Sequence, residues 1–261
     1  MNFLKRFFKG EKPATPSKDP SIPEDLRVYA IGDIHGRIDL LEKIHEIIRE
    51  DAKTAPTSMA INIIYLGDYV DRGIYSKEVL DLLTSKPFPE FKVVYLLGNH
   101  DQKMLRFLNA DDPDASWLEL GGNTTVYSYG VRVPKDILAT KRLHHIQTNL
   151  HERMPDTHFR FLEKLELSFT LGDYFFSHAG IDPSQRIDKQ KPQDLLWGNK
   201  KFLDSEDNFG KIVVHGHTVE KEVIVRNNRI CIDTGAFQTN ILTCLVIEGE
   251  NVRFLSTDPY H

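Results

Sequence analysis

The stretch "YLGDYVDRG" (residues 65–73) decides how this chain is read. An apolar run through Ile61, Ile63, Ile64, Tyr65 and Leu66 has the character of a buried strand. It ends in a glycine and two aspartates three positions apart, Asp68 and Asp71, with Arg72 directly behind. Glycine and aspartate are ordinary turn residues, so a polar turn is the plain reading. The chemical alternative is that one carboxylate holds a metal ion and the other orients a catalytic group. The neighbouring segments separate the two.

Upstream, "RVYAIG" reads as a buried strand, and "IDLLEKIHEIIRE" places Leu40, Leu41, Ile44, Ile47 and Ile48 at helical spacing. Downstream, "SKEVLDLLTS" reads as a second helix with Ser76 as its N-cap, and "KVVYLLG" as a third strand. This β-α-β-α-β rhythm predicts a parallel sheet with right-handed crossovers. Residues 102–166 break the rhythm and read as a largely helical insertion, with a helix expected between Pro134 and Met154. From Leu167 the chain reads as short strands, with hairpins at Asn227-Asn228 and near Glu248–Asn251. A parallel half followed by a meandering half predicts two sheets packed face to face with helices outside.

Composition narrows the class. The 261 residues are 40% hydrophobic and 27% charged, with a formal net charge of −5, which gives no global reason to expect a nucleic-acid partner. An anionic substrate must then be captured locally, by metal or arginine. The two cysteines, Cys231 and Cys244, form no metal-binding or disulfide pattern, so a reducing cytoplasm is the simplest expected home. No apolar run approaches the ~20 residues of a membrane span. Residues 1–24 read as a basic, proline-rich tail. A short amphipathic helix at 2–9 that touches a membrane or partner is the less favoured reading there.

Each strand of the regular half ends in similar chemistry. The first runs into "GDIHG" (Asp33, His35), the second into Asp68, and the third into "GNHD" (Asn99, His100). Later strands end in "SHAG" (His178) and "HGHT" (His215, His217). Ligands of open α/β sheets bind beyond the carboxyl ends of the strands, so these groups are expected to converge. Asp33 and His35 can share one side of an extended segment. Asp68 has two oxygens with which to bridge two ions. Asn99, His178 and His217 offer an amide oxygen and two imidazoles to the second ion. Without thiolate, the set suits Mn, Fe or Zn. Two ions about 3.5–4 Å apart would clamp the oxygens of a phosphoryl displacement. His215 reads as a packed histidine. His45, His144, His145, His151 and His158 read as solvated helix surface, as do Lys135, Lys141 and Arg142.

Taken in order, "GDIHG…GDYVDRG…GNHD…HAG…HGHT" resembles the metal-dependent phosphoesterase signature in its PPP serine/threonine phosphatase form, across roughly residues 27–247. The resemblance implies a four-layer αββα sandwich of two mixed sheets, built as one catalytic domain over residues 25–261. It implies two divalent ions, Mn²⁺ first with Fe or Zn as alternatives, and one-step attack by metal-bound water without a phosphoenzyme. By motif match, Asp33, His35 and Asp68 hold the first metal, and Asp68, Asn99, His178 and His217 the second. His100 protonates the leaving oxygen, Asp71 orients it, and Arg72 holds the phosphate, with Asn99 and His100 also facing it.

"WLELGGNTTVYSYG", "DLLW" and "IDTGA" further resemble the bacterial branch, which includes protein phosphatases and relatives of symmetrical dinucleoside tetraphosphate hydrolases. Two positions depart from it. After Leu-Leu-Trp, where an arginine often contacts phosphate, stand Asn199, Lys200 and Lys201; and Thr239-Asn240 replace a common glycine pair. The expected function is a serine/threonine protein phosphatase acting on a phosphorylated protein or small phosphoester. The alternatives are a symmetrical tetraphosphate hydrolase and, from another class, a non-catalytic phosphate-binding module. The intact His100, Asp71 and ligand set argue against the last.

Overall fold

The computed structural model describes residues 19–258, so the segment expected as a basic helix at 2–9 lies outside the described residues. Strand β1 (Leu26–Ile31) is buried along its whole length and splits its side chains between two cores. Val28 and Ala30 face one side, Tyr29 and Ile31 the other, as the two-residue period of a strand requires. It pairs in parallel with β2 (Ala60–Tyr65), which pairs in parallel with β3 (Lys92–Tyr95). The crossovers are α1 (Ile38–Ala52), which buries Leu40, Leu41, Ile44 and Ile48, and α2 (Ser76–Thr84), which buries Val79, Leu80 and Leu83.

Between β3 and the next strand lie α3 (Asn99–Asn109), a π turn at Leu118–Gly122, α4 (Asn123–Ser128), α5 (Ala139–Arg153) and α6 (Asp156–Glu163). The second half adds β4 (Ser168–Leu171), β5 (Tyr174–Ser177), α7 (Pro192–Trp197), α8 (Lys200–Asp204), β6 (Ile212–His215), β7 (Ile224–Val225) and β8 (Arg229–Cys231). The chain closes with α9 (Ala236–Thr239), β9 (Thr243–Glu248) and β10 (Asn251–Ser256). The strands form two five-stranded sheets, ordered β10-β9-β1-β2-β3 and β4-β5-β6-β8-β7. One core lies between the sheets, where Val28, Ile64 and Leu66 meet Phe176, Val214 and Ile230. The other two cover the outer faces, α1 to α6 on the first sheet and α7–α8 on the second. This is the four-layer αββα sandwich with mixed sheets.

The halves do not map one to one onto the sheets. The last hairpin crosses back and sets β9 antiparallel to β1, Ile31 opposite Cys244. The reason lies in β9 itself: Cys244 and Val246 enter the helix-side core while Leu245 and Ile247 enter the inter-sheet core. A strand apolar on both faces belongs in a sheet interior, and β9 lies between β10 and β1. Both expected hairpins form, β7 with β8 and β9 with β10.

Local expectations differ in four places. Tyr75, not Ser76, is the N-cap of α2, because the Ser76 hydroxyl turns inward to accept from Asp71 N at 3.0 Å. The helix expected from Pro134 begins at Ala139. His45 and His158 are buried rather than solvated, bonded to Tyr65 Oη (2.7 Å) and Tyr129 Oη (2.8 Å), since a buried imidazole needs a partner. Packing starts ahead of residue 25: Ile22 is buried and its N–H donates to Gly249 O at 3.1 Å. Both cysteines are free and buried, and no helix among the described residues is long and apolar enough to cross a membrane.

Candidate active site

β1, β2 and β3 run parallel, as do β5, β6 and β8, so the carboxyl ends of six strands reach one edge of the sandwich. There the backbone bends sharply. His35, Asp68, Asp71, Arg72 and His217 all have left-handed φ, between 47° and 74°. Such geometry costs non-glycine residues about 1–3 kcal/mol each and clusters at functional sites. Room comes from two glycines: a Cβ on Gly98 would collide with the Asp68 carboxylate, and one on Gly216 with that of Asp33.

The side chains converge on Asp68. Its Oδ2 lies 3.4 Å from His35 Nε2, 3.5 Å from His178 Nε2 and 4.0 Å from His100 Nε2. Asn99 Oδ1 lies 2.8 Å from His178 Nε2 and 2.9 Å from His217 Nδ1, and these two nitrogens are 3.2 Å apart. His35 Nδ1 and His178 Nδ1 face the carbonyls of Val70 and Leu66, both at 2.9 Å, so each must donate there. In the neutral ring that leaves the Nε2 lone pair pointing inward. Electron pairs thus meet electron pairs: His217 Nδ1 can bring at most one proton, and none lies between Asp68 Oδ2 and His35 Nε2. Buried acceptors facing one another fit a cation, and the O/N donor set fits a borderline divalent metal.

Electrostatics agree. Burial lowers His35 to about 3 and His217 to about 4, and lowers His178 as well. Burial also raises Asp68, and the charged forms of His178, His100, His35 and His217 are what chiefly pull it below the usual carboxylate range. With His35, His178 and His217 neutral, the buried carboxylate is left short of positive charge, which a bound cation would supply. Burial and the charges of Asp233 and Asp68 push Asp33 well up, and burial and Asp68 bring Asp233 up to about 6.

Two sets of donor atoms lie within 4.8 Å of one another: His35, Asp68 and His100, and Asp68, His178 and His217. Asp68 is common to both, as a bridge must be. Asp33 is in neither; its carboxylate accepts from His217 N at 3.1 and 3.3 Å. All six residues expected as metal ligands therefore reach the same edge, with Asp33 at its margin.

His100 has a separate support. Its Nδ1 lies 2.7 Å from Asp71 Oδ2, which also accepts from Trp117 Nε1 at 2.9 Å. Asp71 Oδ1 accepts from Thr125 Oγ1 at 2.7 Å. Burial works to lower His100, but the charges of Asp68 and Asp71 and the Asp71 bond more than offset it, so its pKa is raised. Arg72 Nη2 lies 3.4 Å from His100 Nε2.

Sequence reasoning left several participants without roles. Asp101 is buried and accepts from Asp68 N (2.8 Å), Gly98 N (3.0 Å) and Tyr69 N (3.1 Å), fixing the turns that aim Asp68 and Asn99. Burial and Asp68 push it up to about 8, against those donors. Asp101 lay in plain view as the last residue of "GNHD". Trp117 and Thr125 lay in "WLELGGNTT", and Asp233 in "IDTGA". Asn199 proves to be the N-cap of α8, its Oδ1 accepting from Lys201 N at 2.9 Å, while Lys200 and Lys201 are exposed. His215 is buried against the Phe202 ring, as a packed histidine should be.

The calcineurin-like phosphoesterase pattern matches residues 26–221. A bis(5'-nucleosyl)-tetraphosphatase PrpE [asymmetrical] from Anoxybacillus flavithermus is 28% identical, covering 88% of this chain and 94% of the relative. The serine/threonine-protein phosphatase PP2A-like PPG1 of Candida albicans is 28% identical over 64% of this chain but 32% of its own length. A crystal structure of a candidate diadenosine tetraphosphatase shares the fold, with a TM-score of 0.57 at 18% identity over 93% of this chain and 96% of that one. Sequence pattern and strand-end chemistry coincide, and the chain belongs to the calcineurin-like phosphoesterase family, enzymes that hydrolyse phosphoesters.

Proposed function

We propose that the protein is a metal-dependent phosphatase acting on phosphorylated serine or threonine in proteins. The observation that carries this reading is the support built under His100. An alkoxide leaves poorly unless it is protonated, whereas the phosphate released from a polyphosphate chain leaves well unaided. A histidine anchored by an aspartate that itself receives bonds from a tryptophan and a threonine suits the harder leaving group.

On this reading His35 and Asp68, with Asp33 at the margin, would hold one divalent cation. Asp68, Asn99, His178 and His217 would hold the second, with Mn²⁺ expected and Fe or Zn as alternatives. When bound, such a pair acidifies water and neutralises charge on phosphoryl oxygens. Arg72 grips the phosphate, His100 gives its Nε2 proton to the leaving oxygen, and Asp71 holds the imidazole in the tautomer and orientation for that transfer. The free, buried cysteines accord with a reducing cytoplasm.

A second reading rests on coverage: relatives that match nearly end to end are bis(5'-nucleosyl)-tetraphosphatases of the asymmetrical kind, where the sequence suggested the symmetrical kind. Parallel assays on a phosphothreonine peptide and diadenosine tetraphosphate, with matched Mn²⁺, decide between them. Higher kcat/KM on the peptide supports the proposal; preferential cleavage of the dinucleotide replaces it with the second reading.

A further inference from the structure

Among the described residues, Arg72 is a cation held without a carboxylate partner. Its guanidinium contacts His100 Nε2 at 3.4 Å and the face of Phe237, with Cζ 4.4 Å from the ring centroid. No carboxylate there reaches ion-pair distance, although its charge is felt by Asp33 and Asp233. A carboxylate partner would fix the guanidinium but cancel the charge a phosphate needs. An aromatic face attracts a cation and leaves its charge intact.

The ring is itself braced. Phe237 rides on the single turn of α9 between two left-handed residues, Gly235 (φ 70°) and Asn240 (φ 63°). Arg37 Nη1 donates to Ala236 O at 2.9 Å and to Asn240 Oδ1 at 2.7 Å, while the rest of its guanidinium is paired with Asp39. Thr239 Oγ1 donates back to Thr234 O at 2.8 Å. The Phe237 ring also packs T-shaped with the His35 ring, 5.5 Å between centroids. This explains the departure from a glycine pair at 239–240. Asparagine tolerates the left-handed turn, and its side chain adds a tie to Arg37 that glycine cannot make.

We infer that Phe237, on the loop clamped by Arg37 and Asn240, is the positioning residue that keeps Arg72 turned toward the phosphate and away from the carboxylates of the site. The inference rests on the reading of Arg72 as the phosphate grip. Phe237 touches no reacting atom, so its loss should weaken phosphate capture more than it slows the chemical step.

The test has four readouts: on the Mn²⁺-loaded enzyme, KM and kcat for p-nitrophenyl phosphate and the inhibition constant of inorganic phosphate; and on the diamagnetic Zn²⁺-loaded enzyme, the NMR shift of the Arg72 Nε–H group. Phe237→Leu keeps an apolar filler but removes the ring face. It should raise KM and the phosphate inhibition constant together by about 3- to 30-fold, leave kcat within about twofold, and move the Arg72 signal out of the ring-current region. Phe237→Trp should restore both constants to within about twofold, because tryptophan offers the better face. Unchanged constants in the leucine variant, or equal impairment by leucine and tryptophan, would overturn the inference. Arg72→Ala separates the two failures. If it leaves phosphate inhibition unchanged, the grip reading falls and this inference with it. If it weakens inhibition while Phe237→Leu does not, only the role of Phe237 is refuted.

Discussion

Asp68 and Asp71 are three residues apart, both buried and both left-handed in backbone, yet their surroundings are opposite. Asp71 is ringed by protein donors: His100 Nδ1, Trp117 Nε1 and Thr125 Oγ1, with its own N–H bonded to Ser76 and Thr125 oxygens. Asp68 Oδ1 receives His100 N, but its Oδ2 faces the nitrogens of His35 and His178, whose protons are turned outward to backbone carbonyls. One carboxylate is completed by the chain and the other is not. The first is equipped to hold an imidazole for proton transfer, the second to hold a cation. Type and burial of residue are the same; the direction of the neighbouring protons makes the difference.

The largest test strips the cation. Chelation should abolish hydrolysis of p-nitrophenyl phosphate and added Mn²⁺ should restore it, while full activity in a demonstrably metal-free sample breaks the Asp68 half of the comparison. Next, Asp68→Asn and Asp71→Asn should move in opposite senses. The Asp68 variant should lose bound Mn²⁺, yet its metal-free form should melt about 2–4 °C higher for each ~1 kcal/mol recovered by removing an uncompensated buried charge. The Asp71 variant should keep its metal, melt lower because its amide turns N–H toward other donors, and lose roughly 10- to 100-fold in kcat, less than the ~10²–10⁴ of losing the acid itself. Equal metal loss in both variants would erase the distinction.

A smaller effect is expected at Trp117. Trp117→Phe removes one donor from Asp71 and should cost about 1 kcal/mol and a several-fold drop in kcat, more for phosphoserine than for p-nitrophenyl phosphate. The smallest concerns Asn199, whose side chain is spent on capping α8. Asn199→Arg should leave KM unchanged and lower the melting temperature slightly, by the ~0.5–2 kcal/mol of a lost cap. A fall in KM would show that this loop reaches the phosphate after all.

Much of this was legible in the sequence, for physical reasons. Parallel strands joined by amphipathic helices have a local signature, and the residues that finish such strands share one edge by topology, so Asp33, Asp68, Asn99, His178 and His217 could be gathered without coordinates. What the sequence hid was long-range. The return of β9 beside β1 depends on both of its faces finding a core, and short strands do not announce their partners. Asp101 follows turn residues and Asp233 precedes them, so both look like turn polarity; their backbone donors and burial distinguish them. Trp117 was visible but its Nε1–H had no visible target, since Asp71 lies 46 positions away. Ser76 has the sequence context of a cap, the common task of a serine at a helix start, but the buried bond from Asp71 N claims its hydroxyl instead.

The most direct test of the division between cation and proton is metal content and kcat measured together on His100→Asn. His100 shares a donor cluster with His35 and Asp68, so geometry alone permits it to be a ligand. Paired with Asp71, it should instead be the acid. The account predicts that His100→Asn retains the same number of bound metal ions as the unmodified enzyme while kcat falls ~10²–10⁴-fold on phosphoserine and much less on p-nitrophenyl phosphate, whose leaving group needs little protonation. Loss of a metal ion, or equal slowing of both esters, would contradict it and make His100 a ligand.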